Sequence, residues 1–151
     1  MSEKPLTNFT LAEATEICGL SSAMVAYLVR HEIVKPSASK YRRRGKRLLF
    51  SFQDLIGLRA IRSLLEKGIS PLRLTAEIRR FRRDLKRIDS TQLSADLRYL
   101  VTDGKRLFFW NRAKHENPLA VSGQLAFAFM VDLGPIHAET RELGIRVKQQ
   151  R

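Results

Sequence analysis

Two helix-start signals stand close together near the N-terminus of the chain, and a glycine lies between them. Thr10 can cap a first helix, and Glu13, three residues later, completes a capping box with it. Gly19 can take the left-handed conformation in which helices often end. Ser21 or Ser22 can then cap a second helix at once. This spacing predicts two short helices joined by a tight turn, which is the helix-turn-helix arrangement.

Two further helices are predicted after residue 50. Ser51 caps the third and Asp54 completes its capping box, and the helix is expected to stop at Lys67-Gly68. The fourth helix begins at Ser70-Pro71, with serine at the cap and proline at the first helical position. Its apolar positions form a heptad seam that is too short for a coiled coil, namely Leu74, Ile78, Phe81, Leu85 and Ile88.

A strongly basic segment separates the second helix from the third. Six of the eight residues from Lys40 to Arg47 are lysine or arginine. Gly45 can form the turn of a hairpin whose strands would be Tyr41–Arg43 and Arg47–Phe50. We therefore predict a β-hairpin wing here, with a solvated hairpin that binds nothing as the alternative.

The C-terminal part of the sequence has the alternation that is typical of strands. Asp103-Gly104 is a good turn signal between the first two of them. The last residues of the sequence, 133–151, are expected to form one short helix and a polar, basic tail. The four predicted strands are Tyr99–Val101, Lys105–Arg112, Leu119–Val121 and Gln124–Val131. The expected fold class is α+β, with a helical N-terminal domain at 1–89 and a small β-rich domain at 90–151.

The excess of positive charge lies mainly in the N-terminal domain. The formal net charge is +13, and residues 1–90 account for +10 of it. Such a domain is attracted to polyanions, with nucleic acid first and an anionic membrane surface second, unless the charge serves only solubility. No apolar run approaches the ~18 residues of a membrane-spanning helix. Met1–Asn8 carries no secretory-signal pattern and Cys18 is the only cysteine, so we expect a cytoplasmic, nucleoid-associated protein.

Catalytic and metal-binding patterns are weak in this sequence. The three histidines, His31, His115 and His137, are far apart, and glycine-rich phosphate loops are missing. Cys18 falls on the apolar side of the first helix, as expected of a buried and unreactive thiol, and Asp103 suits a turn. We therefore predict no enzyme activity and no cofactor. The aromatic residues of the β-rich part serve either as core or as the lining of a ligand pocket: Phe108, Phe109, Trp110, Phe127 and Phe129.

The order of these elements, together with several short segments, resembles the MerR family of winged helix-turn-helix transcriptional regulators. The similar segments are Phe9–Glu13, Cys18–Ser21, Tyr27, Ile33–Pro36, Phe50–Leu55 and Ile61–Ser70. They span about Phe9 to Phe81. The sequence departs from the family pattern at Ala26, where an arginine is usual, and at Glu32, where a glycine usually closes the second helix.

The resemblance implies that the second helix enters the major groove of duplex DNA and that the wing contacts the backbone. The residues expected to bind DNA are Ser21, Ser22, Ala23, Tyr27, Arg30, Lys40, Tyr41, Arg42, Arg43, Arg44, Lys46 and Arg47. For Tyr27 a half-buried packing role is the alternative. A second basic cluster on the fourth helix is either a solvated face or another polyanion contact, and contains Arg79, Arg80, Arg82, Arg83, Lys86 and Arg87.

The predicted function is sequence-specific binding of double-stranded DNA as a transcriptional regulator. A DNA-binding antitoxin of a toxin–antitoxin pair and an architectural protein that coats DNA are the alternatives. We expect a homo-oligomer, formed through the β-rich domain or the Leu74–Ile88 seam, because one winged helix covers little DNA. The C-terminal domain is also a possible site for a protein partner or an effector.

Overall fold

The computed structural model describes residues 6–39, 48–86, 97–111 and 129–150. Helices and an antiparallel sheet are both present, so the predicted α+β class is confirmed. In chain order the elements are α1 (Leu11–Cys18), α2 (Ser22–Arg30), α3 (Phe52–Glu66), a 3-10 helix (Pro71–Leu74), α4 (Thr75–Leu85), β1 (Tyr99–Thr102), β2 (Leu107–Trp110), β3 (Phe129–Asp132) and α5 (Leu133–Gln149).

The junction between α1 and α2 forms as the sequence predicts. The Thr10 side chain accepts a hydrogen bond from the backbone N–H of Glu13, and the Glu13 carboxylate accepts one from the backbone N–H of Thr10. Gly19 has a φ of 68°. A Cβ atom at this position would lie 2.3 Å from a guanidinium nitrogen of Arg62. That nitrogen is the end of a flexible side chain and can move aside, so the turn requires glycine for its left-handed backbone conformation.

Helix α3 is the central element of the core. Its predicted capping box is present, since Ser51 and Asp54 exchange hydrogen bonds between side chain and backbone. Nine of its fifteen residues are buried. It contacts α1, α4, α5 and β3. A helix buried on most of its circumference positions every element that packs against it.

In the structure, the segment predicted as the fourth helix forms a 3-10 helix followed by the α-helix α4. Pro71 begins the 3-10 helix, and α4 starts only at Thr75. Ser70 takes the N-cap position and Pro71 the first helical position, as predicted, although the Ser70 side chain makes no capping hydrogen bond. The apolar seam is buried inside the protein at the four of its positions that are described, Leu74, Ile78, Phe81 and Leu85. These four side chains are thus not available to a second copy, whereas Ile88 lies outside the described residues.

The three strands form an antiparallel sheet in the order β2-β1-β3. The hairpin between β1 and β2 was predicted, but β2 begins at Leu107 and not at Lys105. The reason is local: Asp103 accepts hydrogen bonds from the backbone N–H groups of Lys105 and Arg106, which are then not available to a strand ladder. The predicted strand Leu119–Val121 and the first five residues of Gln124–Val131 lie outside the described residues.

The C-terminal segment is a long helix, and the prediction of a short helix with a polar tail is wrong. Helix α5 has 17 residues, and Asp132 caps it by accepting a hydrogen bond from the Gly134 backbone N–H. It packs against α1 and α3. Near its end the Lys148 ammonium donates to the Asn8 carbonyl oxygen at 3.0 Å and lies 3.6 Å from the buried Glu13 carboxylate.

The predicted domain boundary between residues 89 and 90 falls outside the described residues and stays a prediction.

Gly144 allows α5 to approach the N-terminal segment closely. A Cβ atom there would lie 3.2 Å from the Phe9 ring and 3.5 Å from Leu6. The Phe9 backbone is itself fixed by two hydrogen bonds with Phe50, of 2.8 and 2.9 Å. Because Phe9 is fully buried, it has little room to move away from a larger residue.

We predict that Gly144→Val lowers the free energy of unfolding by about 1–3 kcal/mol through overpacking against Phe9. Ala138→Val is the matched control, since it adds a β-branched residue at an exposed position of the same helix. The control should cost no more than ~0.7 kcal/mol, the range of ordinary helix propensity. Urea denaturation of both variants measures this. Equal losses in the two variants would contradict the close approach.

Candidate nucleic-acid interface

Helix α2 has one buried side and an exposed N-terminal end. Val25 and Leu28 are fully buried in the core. Ser21, Ser22 and Ala23, which were predicted to bind DNA, are exposed at the beginning of the helix. Their side chains are therefore accessible to a partner, while the buried residues hold the helix in place.

Ser21 is the cap of α2, which decides between the two serines that the sequence offered. Its side-chain oxygen accepts a hydrogen bond from the Met24 backbone N–H at 3.0 Å. Ser22 is the first residue of the helix proper. The structural role of helix cap therefore belongs to Ser21 and not to Ser22.

We predict that Ser21→Ala lowers the free energy of unfolding by about 1 kcal/mol because the cap is lost. Ser22→Ala, at an exposed position with no capping bond, should change it by less than about 0.5 kcal/mol. Thermal or urea unfolding of the two single variants compares them directly. A larger loss for Ser22→Ala than for Ser21→Ala would contradict this assignment of the cap.

Tyr27 and Arg30 differ in their surroundings. Tyr27 is half-buried, it packs against the core, and its ring lies 4.3 Å from the ring of His31. Arg30 is exposed in the last turn of α2. Arg30 is therefore accessible to a phosphate group, whereas part of Tyr27 serves packing, as its alternative interpretation held.

Two arginines of α4 hold the end of α2, a contact that the sequence analysis missed. Arg79 donates to the carbonyl oxygen of Glu32 at 3.4 Å and pairs with its carboxylate at 3.3 Å. Arg82 donates to the same carbonyl oxygen at 3.5 Å. Glu32 has a φ of 57°, the left-handed conformation. The available signal was the family pattern, which usually has glycine at this position.

The left-handed backbone at Glu32 gives a prediction from two substitutions. Both Glu32→Gly and Glu32→Ala remove the exposed ion pair with Arg79, but only glycine adopts this φ without steric cost. Glu32→Gly should therefore be more stable than Glu32→Ala by about 1 kcal/mol. Urea denaturation gives the difference. If the alanine variant is as stable as the glycine variant, the backbone here is not left-handed in solution.

The predicted wing cluster, Lys40, Tyr41, Arg42, Arg43, Arg44, Lys46 and Arg47, lies outside the described residues. The described residues on its two sides contact each other. The Ala38 backbone N–H donates to the Leu49 carbonyl oxygen at 3.1 Å, and the Leu49 N–H donates to the Ser39 hydroxyl at 2.8 Å. The basic segment therefore leaves and re-enters the described fold at one place. Phe50, assigned to the second hairpin strand, pairs instead with Phe9.

The described members of the basic cluster on the fourth helix divide into two groups, and Arg87 lies outside the described residues. Arg80 donates to the Leu107 carbonyl oxygen at 2.6 Å and pairs with Glu77, and Arg79 and Arg82 hold the end of α2 as above. Arg83 and Lys86 are exposed. Neither has a hydrogen-bond or ion-pair partner among the described residues. Three of the arginines thus have structural contacts, and Arg83 and Lys86 are accessible to a ligand.

Cys18 and Asp103, which the sequence analysis considered as a nucleophile and an acid–base group, have structural roles. Burial raises the pKa of the Cys18 thiol to about 12, although Arg59 and Arg62 nearby oppose the shift. Such a thiol is protonated and unreactive at neutral pH. Burial alone would raise the pKa of Asp103, but the backbone N–H groups of Lys105 and Arg106 and the Arg106 guanidinium hold it below its usual value. Asp103 therefore stabilises the turn as a carboxylate.

The described aromatic residues of the sheet mostly pack against neighbours. The Phe109 ring lies 5.2 Å from Phe81 of α4, and Tyr99 lies 6.4 Å from Trp110. The guanidinium groups of Arg80 and Arg106 lie 5.5 and 5.9 Å from the Phe108 ring. Phe108 and Phe109 also line a cleft of about 240 Å³ beside Arg80, so the two residues both pack against neighbours and face an open space.

In the described ranges, no helix combines the length and the apolar character needed to cross a membrane. The same ranges hold no group of three or more histidine, cysteine, aspartate or glutamate side chains placed to bind a metal ion. A scan of protein-family models found no match to this chain, and a search of curated protein sequences found none either. The likeness to MerR regulators thus stands on the quoted residues alone.

Proposed function

We propose that this protein is a sequence-specific regulator of transcription that binds double-stranded DNA through a winged helix-turn-helix of the MerR type. In this proposal α1 and α2 form the helix-turn-helix, and α2 enters the major groove. Lys40–Arg47 forms the wing. The observation that carries the proposal is the pairing of a fixed, half-buried α2 with an exposed N-terminal end of small polar residues.

The accessible end of α2 suits contact with base edges. The N-terminal residues of a recognition helix reach the bases in known complexes of this kind, and serine hydroxyls can bond either bases or phosphates. Ser21, Ser22 and Ala23 are all small, so the helix backbone can come close to the groove. Arg30, at the other end of the helix, is placed for the DNA backbone.

The contacts that hold both ends of α2 in place favour sequence-specific DNA binding over nonspecific electrostatic attraction. Its start is tied to α3 through the turn, where Arg62 donates to the Cys18 carbonyl oxygen at 3.4 Å. Its end is held by Arg79 and Arg82 at Glu32. A helix held at both ends presents its side chains in one orientation, and preorganised groups lose less freedom when they bind.

The proposal extends to assembly and location. We expect a homo-oligomer on DNA in the cytoplasm, because two copies double the number of base contacts and fix the spacing of half-sites. Because the described side chains of the α4 seam are buried, we place this contact at the sheet, where Phe129 and Met130 of β3 are 38% and 43% exposed.

Selection of bound fragments from genomic DNA, followed by footprinting, tests the function. A bounded footprint on a recurring sequence supports a regulator. A footprint that spreads with protein concentration indicates an architectural coat, and the lack of any duplex binding contradicts the proposal. A toxin gene beside the gene for this chain would favour the antitoxin alternative.

We predict that replacing Arg42, Arg43 and Arg44 by alanine flattens the plot of log affinity against log salt concentration by about one to three units, at ~0.9 per lost phosphate contact. The matched control removes the same charge at three exposed positions elsewhere, Arg73, Lys105 and Arg146. The control should leave the slope within about half a unit of the original. Fluorescence anisotropy with a labelled duplex at several salt concentrations measures it. An unchanged slope in the first variant would remove the wing from the interface.

A further inference from the structure

A cleft of about 570 Å³ lies where the segment after α2, the beginning of α3 and the end of α4 meet. This volume is in the range of sites that take small ligands, roughly 300–1,000 Å³. Its walls are polar and cationic. The basic residues are Lys35, Arg82, Arg83 and Lys86, and the hydroxyls are those of Ser37, Ser39 and Ser51. Leu85 supplies an apolar part of the lining.

The charge of the cleft favours an anion by a wide margin. Four cationic side chains line it, against the single carboxylate of Asp54. The C-terminal end of α4 adds the partial negative charge of a helix terminus, about half an elementary charge. Three net positive charges from side chains exceed this contribution several-fold, so the cleft attracts anions.

The Asp54 carboxylate is already bonded to the protein. Its Oδ2 atom accepts hydrogen bonds from the backbone N–H groups of Ser37 and Ser51, each at 2.8 Å. The Ser37 hydroxyl also lies 2.8 Å from the same atom. The residue is 92% buried, being 8% exposed. Asp54 therefore builds the wall of the cleft, and it does not need the cations there to compensate its charge.

Three of the cations remain available to a ligand. Lys35, Arg83 and Lys86 are exposed. In the part of the chain that the structure describes, none of the three has a hydrogen-bond or ion-pair partner. Arg82 differs, because it donates to the Glu32 carbonyl oxygen. Arg83 in the last turn of α4 and Lys86 at its C-cap, which keeps a helical backbone conformation, are three residues apart and so lie on one side.

We propose that this cleft is a binding site for a phosphoryl group. A guanidinium fork and ammonium groups around one cavity match the several oxygens of a phosphoryl dianion, which accepts charge-assisted hydrogen bonds from all of them. The phosphoryl group comes either from the backbone of a bound duplex or from a small phosphorylated molecule. The chemistry at Lys35, Arg83 and Lys86 is the same in both cases, and the site does not require the proposed DNA-binding function.

Calorimetry with inorganic pyrophosphate as the probe, on the full chain at low salt and without DNA, tests the site. The double variant Arg83→Gln/Lys86→Gln should weaken the binding of pyrophosphate at least about tenfold, since two charge-assisted hydrogen bonds are lost. The control Arg73→Gln/Lys105→Gln removes the same charge at exposed positions outside the cleft and should weaken it less than about twofold. Melting temperatures of both variants establish that each is folded.

Three results would overturn the proposal: no saturable binding of pyrophosphate to the original protein, equal losses in the two double variants, or equal affinity for the dicarboxylate malonate. The source of the phosphoryl group follows from adding a saturating duplex. If the duplex abolishes pyrophosphate binding, the cleft holds a DNA phosphate. If both bind together, the cleft takes a small phosphorylated molecule. Because the first arm contains no DNA, failure of the site and failure of the DNA-binding function are distinguishable.

Discussion

The Asp54 carboxylate joins three parts of the molecule on which the candidate interface depends. It stabilises the first turn of α3 through the capping box with Ser51. It also accepts hydrogen bonds from the backbone N–H and the hydroxyl of Ser37, which fix the segment after α2. Hydrogen bonds to a charged group contribute about 1.5–3 kcal/mol each. The central helix, the exit from α2 and one wall of the cationic cleft are thus fixed by one side chain.

The sequence predicted the elements whose signals are local. The boxes at Thr10 and Ser51 and the glycine at position 19 each depend on residues within four positions, and all three formed. Helix α5 was missed because Gly134, Pro135 and Gly144 all lower helix propensity. Pro135 lies in the first turn, where its missing N–H costs nothing, and Gly144 is required by Phe9. Tertiary packing therefore overrode the local preference.

In the candidate site, too, only the features with local sequence signals could be predicted. The exposed residues at the start of α2 follow from the cap and the apolar spacing of that helix, both visible in the sequence. The clamp of Arg79 and Arg82 on Glu32 was not, because its partners are about fifty residues apart and a run of arginines on a helix is usually just solvated surface. The cationic cleft is lined by residues from three separate segments of the chain, and the sequence pattern of any one segment does not predict it.

The division among the basic residues of α4 separates the attraction of a polyanion from its placement. An arginine that donates to a carbonyl oxygen, as Arg80 does to Leu107, keeps its full positive charge. It therefore adds to the field that draws a polyanion in, which acts over a Debye length of about 8 Å at physiological salt. Placement requires direct contacts, which only accessible groups such as Arg83, Lys86 and the start of α2 can supply. In the proposed DNA-binding function, the total charge therefore governs the rate and the salt dependence of association, and the buried side of α2 fixes the orientation of its exposed residues.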